Sequence, residues 1–179
     1  MAHKGKSSHL SGTLSCVDIL VGLFYDYLKI FPKDYKNINR DRFFISKGHD
    51  CSSLYAIMAD TGFFPIEWLD KYCESKFSLP SHPCIHMLPQ LEFSSGSLGH
   101  GLGVASGMAY GLKIQGLQNR LFVLMSDGEC NEGSVWEAAM FSSAKKLENL
   151  VAIVDHNEVQ AVGRTSETMG NTSLANKFK

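Results

Sequence analysis

Two short apolar runs, each ending in an oxygen-bearing turn, constrain this chain's folding more than any other feature. Leu121-Phe122-Val123-Leu124-Met125 leads into Ser126-Asp127-Gly128-Glu129, and Leu150-Val151-Ala152-Ile153-Val154 leads into Asp155-His156-Asn157 about thirty residues on. Between them, Asn131 to Lys146 reads as a helix. This is a strand–turn–helix–strand unit with one oxygen ligand past each strand's carboxyl end, where open α/β sheets bind their ligands. One carboxylate and one amide oxygen are a poor cage for Ca²⁺. They suit Mg²⁺, which keeps few protein ligands and completes its octahedron with phosphate oxygens and water. The plainer alternative is a strand-end turn with a helix-capping Asp.

The rest of the chain fits the same architecture. Leu14, Val17, Leu20, Val21, Phe24, Tyr27 and Leu28 form a stripe at helical spacing, predicting a helix within Leu10 to Ile30 that Ser11 or Thr13 caps and Pro32 stops. Phe43-Phe44-Ile45-Ser46 reads as a short buried strand followed by a turn at Lys47 to Asp50. Cys51 to Asp60 reads as a helix, Pro65 starts another, and 78–89 is a proline-containing loop. Leu98 to Ile114 is a glycine-rich helix. The expected fold is a doubly wound α/β domain, its mostly parallel sheet flanked by helices. Residues 1–164 are read as the domain and 165–179 as a polar tail without a regular element. Such a sheet normally continues after its last visible strand. A fragment or one piece of a split protein is therefore expected, and a complete small domain with a short tail is the alternative.

Composition removes several classes. The 179 residues are 44% hydrophobic and 20% charged, as in globular proteins, and the formal net charge of −1 argues against nucleic acid as an electrostatic partner. No apolar run reaches the ~18 residues of a membrane span, and the basic start lacks a signal-peptide core. Five cysteines, none in a C-x-x-C pair, fit neither structural zinc nor a disulfide framework. Reduced thiols in a cytoplasm fit best.

Gly96-Ser97-Leu98-Gly99-His100-Gly101 lacks the G-x-G-x-x-G spacing and the acidic residue a nicotinamide site needs. It reads instead as a turn whose backbone comes close to a ligand. His9, His49, His82 and His100 sit in loops or at element ends beside small residues. Without H-x-x-x-H spacing or interleaved carboxylates, they read as polar contacts to an anionic, hydroxylated ligand rather than as zinc ligands. Glu132 and Glu137 lie on the helix after the acid–glycine turn, where a favourable dipole contact or a solvated face is the plainer role.

Taken together these segments resemble the amino-terminal, thiamine diphosphate-binding half of transketolase, over about residues 8–163. The resemblance rests on Ser8-His9, on Arg40 through His49 (Arg-Asp-Arg-Phe-Phe-Ile-Ser-Lys-Gly-His), on Ser81-His82-Pro83, on Gly96 through Gly101, on Ser126 through Gly133, and on Asp155-His156-Asn157. Ser126 departs from the family's Gly-Asp-Gly. The resemblance implies that Asp127, Asn157 and the Val159 carbonyl hold Mg²⁺. Gly128 and His49 would meet the diphosphate, and Gly96 and Leu98 the aminopyrimidine. His9 and His82 would line the substrate channel, binding sugar hydroxyls or moving protons. Glu132, and Glu137 with it, would join a carboxylate network at a subunit interface. The implied reaction transfers a two-carbon ketol unit between sugar phosphates, in a dimer or heterotetramer completed by a carboxyl-terminal partner, without which the chain should be inactive.

Rival readings are a deoxyxylulose-phosphate synthase or other thiamine enzyme, a non-catalytic remnant or binding module, and a nicotinamide-dependent dehydrogenase. Intact Asp127, Gly128 and Asn157 speak against decay, and the histidine beside Ser81 and Pro83 favours transketolase.

Overall fold

The computed structural model describes residues 1–7, 9–74, 79–170 and 173–179. Ser8 of the first motif and Ser78 at the start of the proline-containing loop lie outside the described residues. Strands β1 (Arg42–Ile45), β2 (Leu121–Ser126) and β3 (Leu150–Asp155) form a parallel sheet in that order. The uninterrupted apolar run of β2 is explained by its central place, since a parallel strand covered on both faces needs apolar side chains on both. Phe122 and Leu124 pack, with Ile45, into one core that includes Leu20, Leu54 and Tyr55. Leu121, Val123 and Met125 pack, with Phe44, into a second that includes Leu102, Ala105, Val135 and Ala138.

Helices α1 (Leu10–Ser15), α2 (Val17–Gly22) and α3 (Cys51–Asp60) attend the first face. Helices α4 (Gly101–Ile114) and α5 (Gly133–Ala144) attend the second, where small residues let α4 approach the sheet closely. The α/β layering follows the sequence expectation. At the amino ends of the strands, the buried Asp41 carboxylate accepts from the Arg120 backbone N–H at 3.0 Å and its guanidinium at 2.6 Å, tying β1 to β2.

Four local expectations are corrected. The stripe from Leu10 to Ile30 is not one helix. It breaks at Cys16 and ends in a π-helical turn, Leu23–Tyr27, whose Leu28 N–H reaches the Leu23 carbonyl at 2.8 Å. Thr13 donates back to the His9 carbonyl at 2.6 Å, a local bond of the kind that bends helices, and Leu14, Val21 and Tyr27 end up exposed. His9 occupies the cap position without a side-chain cap, so neither Ser11 nor Thr13 serves. The glycine-rich helix starts at Gly101, leaving Leu98 in the preceding turn. The segment after Pro65 is a 3₁₀ turn, Ile66–Lys71.

The chain after β3 also carries structure, the 165–179 tail included. Strands β4 (Val159–Gln160) and β5 (Gly163–Arg164) make a small hairpin, followed by α6 (Thr165–Met169) and α7 (Leu174–Lys177). Ser173 caps α7, and Phe178 packs on Trp136 at 4.7 Å between ring centres. These short elements are held by tertiary contact, which periodicity does not reveal.

Candidate functional site

Parallel pairing brings the carboxyl ends of β1, β2 and β3 to one end of the sheet. Ser126 pairs with Asp155, so the turns that follow each lie side by side, and the Asp127 N–H points to the Asp155 carbonyl at 3.3 Å. The buried Asp127 carboxylate accepts three hydrogen bonds. One oxygen accepts from Gly128 N–H at 2.9 Å, and the other from Glu158 N–H at 3.1 Å and Thr165 Oγ1 at 2.6 Å. Asn157 Oδ1 accepts from Val159 N–H at 3.0 Å while its Nδ2 donates to Asp155 at 3.3 Å. The amide is thereby oriented, and its oxygen faces the same 157–159 loop that Asp127 binds.

Beside this loop, a Cβ on Gly128 would come within 3.1 Å of the Gln160 side chain. Gln160 Oε1 accepts from Asn131 Nδ2 at 3.1 Å, but its Nε2 is buried with no hydrogen-bond partner among the described residues. A buried donor without an acceptor is costly, and an anionic ligand would satisfy it.

Three histidines form a second group. His9 lies 5.3 Å from His49 and 6.3 Å from His82, ring centre to ring centre. Gly96, at φ +148°, backs onto the His82 ring, where an added Cβ would lie 3.2 Å away. A Cβ on Gly48 would meet the Gly96 nitrogen at 2.9 Å, so the turn holding His49 rests directly on the turn holding Gly96. Burial holds the His49 imidazole below its ordinary 6.5, with Lys47, His9 and His82 adding to the effect and Asp50, at 3.3 Å, opposing it. His49 is therefore neutral at neutral pH.

The two groups are joined by buried charge. The Lys47 ammonium bonds Asp155 and sits 3.0 Å from Asp50, all three being buried. Burial alone would lower the Lys47 pKa; the Asp155 hydrogen bond and the Asp50 charge outweigh it and leave it raised. Ser15 on α1 donates to the other Asp155 oxygen at 2.9 Å. Gly12 makes room for Asp50, since a Cβ there would lie 2.5 Å from its Oδ1.

Glu129 is completely buried one step past Gly128. Its Oε1 accepts from the Ser46 hydroxyl and from Gly99 N–H at 2.8 Å, while burial pushes its carboxyl above the usual range against those bonds. Leu98 lies in the adjoining turn, partly buried. Glu132 stands exposed at the start of α5, its Cβ within 2.7 Å of where a Gly99 Cβ would be. His100 instead sits with its Nδ1 3.1 Å from the Leu98 carbonyl, and Glu137 is exposed.

The structure groups His9, His49, His82 and Gly96 in one place and Asp127, Gly128, Asn157 and Val159 in another, whereas sequence reasoning sets His49 with Gly128 at the diphosphate. That reasoning misses Lys47, Asp50, Asp155, Glu129, Gln160 and Thr165. A charged residue directly after an apolar strand, as Lys47 and Asp155 are, was the available signal.

Adjacent parallel strand ends bearing an acid–glycine turn and an oriented amide define a cofactor-binding α/β domain. The chain belongs to the transketolase family: the family pattern described as "Transketolase, thiamine diphosphate binding domain" matches residues 1–179. It is 40% identical over 178 residues to an apulose-4-phosphate transketolase subunit from Phocaeicola vulgatus, covering 99% of this chain and 63% of that one. To a 6-deoxy-6-sulfo-D-fructose transketolase subunit of Clostridium sp. (strain MSTE9) it is 37% identical over 171 residues, covering 96% of this chain and 62% of that one. The chain therefore spans less than two thirds of these relatives' length. Transketolase from Leishmania mexicana superposes with a TM-score of 0.89 at 26% identity, over 99% of this chain and 28% of that one. No helix among the described residues is long and apolar enough to cross a membrane.

Proposed function

We propose that this chain is the diphosphate-binding part of a transketolase-like enzyme that moves a two-carbon ketol unit from a ketose phosphate to an aldose phosphate. A carboxyl-terminal partner subunit would complete the site, within a dimer or heterotetramer working in cytoplasmic sugar metabolism of the pentose phosphate kind. The observation that carries this reading is the pairing of Asp127 with the 157–159 loop beside the orphaned Gln160 amide.

The residues present fit thiamine diphosphate and Mg²⁺. No cluster of three His, Cys, Asp or Glu residues exists among the described residues. A metal held here would rest on one carboxylate, one amide oxygen and a backbone carbonyl, with phosphate oxygens and water filling the remainder, which is the habit of Mg²⁺. Asp127, Asn157 and the Val159 carbonyl would supply those ligands. Gly128 would present its backbone to a diphosphate, and Gln160 Nε2 and His49 would donate to it. When bound, the cofactor supplies a carbanion and an electron sink for carbon–carbon cleavage.

This chain's part is to bind, orient and move protons. Gly96 and Leu98 would set the ring end of the cofactor through backbone atoms. His9 and His82 would bind sugar hydroxyls and relay protons, a role suited to imidazoles on an open surface. Glu132, with Glu137 less directly placed, would face the partner's carboxylates.

Calorimetric titration of thiamine diphosphate with Mg²⁺, on the chain alone and mixed with the carboxyl-terminal subunit, tests the proposal. Binding that requires the mixture supports a shared site. Absence of binding in both, with both proteins folded, rejects it.

A further inference from the structure

The turn Gly96–His100 has no regular structure of its own, yet it and the first residue of α4 are held from three sides. Gly99 N–H donates to Glu129 Oε1 at 2.8 Å. The Gly99 carbonyl accepts from Ser134 Oγ at 2.9 Å. Gly101 N–H donates to Ser46 Oγ at 3.1 Å, and that hydroxyl donates onward to the same Glu129 oxygen. One carboxylate oxygen therefore links the end of β1, the turn after β2 and the start of α4. Gly99 has φ +82° and so needs no side chain, which would strike Glu132 and Ser134. Glu129 is 0% exposed, its Oε1 takes both side-chain hydrogen bonds and its Oε2 is buried with no hydrogen-bond partner among the described residues, so its placement is costly and the Oε1 bonds are what offset it.

We infer that Glu129 is a positioning residue: through Gly99 N–H it fixes the height of the Gly96–Leu98 backbone, and so the place of the cofactor's aromatic ring, without touching the cofactor. This rests on the cofactor reading above. Its function is separable from diphosphate anchoring, which falls to Asp127, Gly128 and Asn157. Glutamine at 129 keeps an acceptor oxygen for Gly99 and Ser46, whereas alanine leaves both donors unpaired.

The test compares two probes on the protein in its native assembly: inorganic pyrophosphate with Mg²⁺, and thiamine diphosphate with Mg²⁺. Supporting-shell changes weaken binding by about 10–100-fold. Glu129→Ala is expected to weaken thiamine diphosphate by about tenfold or more while leaving pyrophosphate within about twofold. Glu129→Gln should restore wild-type binding, and Ser134→Ala, which loses only the carbonyl side of the clamp, should fall between. Equal loss for both probes in Glu129→Ala, or loss for neither, overturns the inference, as does failure of Glu129→Gln to rescue. Amide hydrogen exchange at Gly99 is read in parallel. If the wild type binds neither probe, the cofactor reading fails, and exchange decides the clamp: faster exchange in Glu129→Ala supports it, and unchanged exchange overturns it.

Discussion

The Lys47 ammonium bonds the Asp155 carboxylate across 108 positions of sequence, and both side chains are almost completely buried. Because Asp155 also accepts from Asn157 Nδ2, this ion pair sets which way the Asn157 oxygen points. Removing one partner of a buried pair strands the other, at a cost of about 3–5 kcal/mol. Lys47→Met should therefore lower the urea midpoint strongly. The Lys47 pKa is raised on folding, so its contribution is complete below 10.5 and lost as pH rises through the folded value. The midpoint difference between wild type and Lys47→Met should narrow above pH 10.5, and a constant difference would contradict the pairing.

His49 gives the opposite dependence. Its pKa is depressed below 6.5 by burial, so the folded state resists protonation that the unfolded chain accepts. Its stabilisation is present above pH 6.5 and declines as pH falls towards the folded value. His49→Gln should flatten that part of the stability–pH curve. A variant curve parallel to the wild type from about pH 7 to about pH 5 would show that His49 is not responsible.

Asp127→Ala removes a carboxylate that accepts three hydrogen bonds and the proposed metal ligand. Retention of thiamine diphosphate through gel filtration in Mg²⁺ should be abolished, with the backbone N–H groups of Gly128 and Glu158 losing their acceptor. Full retention would remove Asp127 from the metal site.

The five free cysteines should divide by environment. Burial pushes the Cys51 and Cys130 thiols up to about 12 and raises Cys16, so all three should react slowly with iodoacetamide in the folded protein. Cys84 should alkylate fastest, because the His86 backbone N–H holds its thiol below the ordinary 9.0, and exposed Cys73 should follow. Peptide mapping after timed alkylation checks the order. Early labelling of Cys51 would contradict its burial against Tyr72 and the Ser81 carbonyl.

The sequence made the sheet legible because β2 must be apolar on both faces, and five consecutive apolar residues have few other uses. It made Asp127 and Asn157 legible because they follow such strands directly. It hid the break at Cys16, where the helical stripe continues although Thr13 turns back on His9. It hid the hairpin from Val159 to Arg164, too short for a period-2 signal and fixed by its link to Asp127 through Glu158 and Thr165. Thr165, which from sequence is the first residue of a featureless tail, bonds the central carboxylate. Glu129 sits inside a legible motif, yet only geometry reveals that its oxygen serves Gly99, thirty residues earlier.

The long span between Lys47 and Asp155 also orders assembly during synthesis. A ribosome making this chain releases β1 and the Lys47 amine just after it long before β3 emerges. Asp50, three residues on, is the one carboxylate of the cluster available at once. Until Asp155 arrives the β1–α3 layer holds a half-compensated cation, so closing it early is disfavoured. Nascent chains halted before residue 150 should therefore remain protease-sensitive around Lys47, and the sheet should close as one late, non-local event.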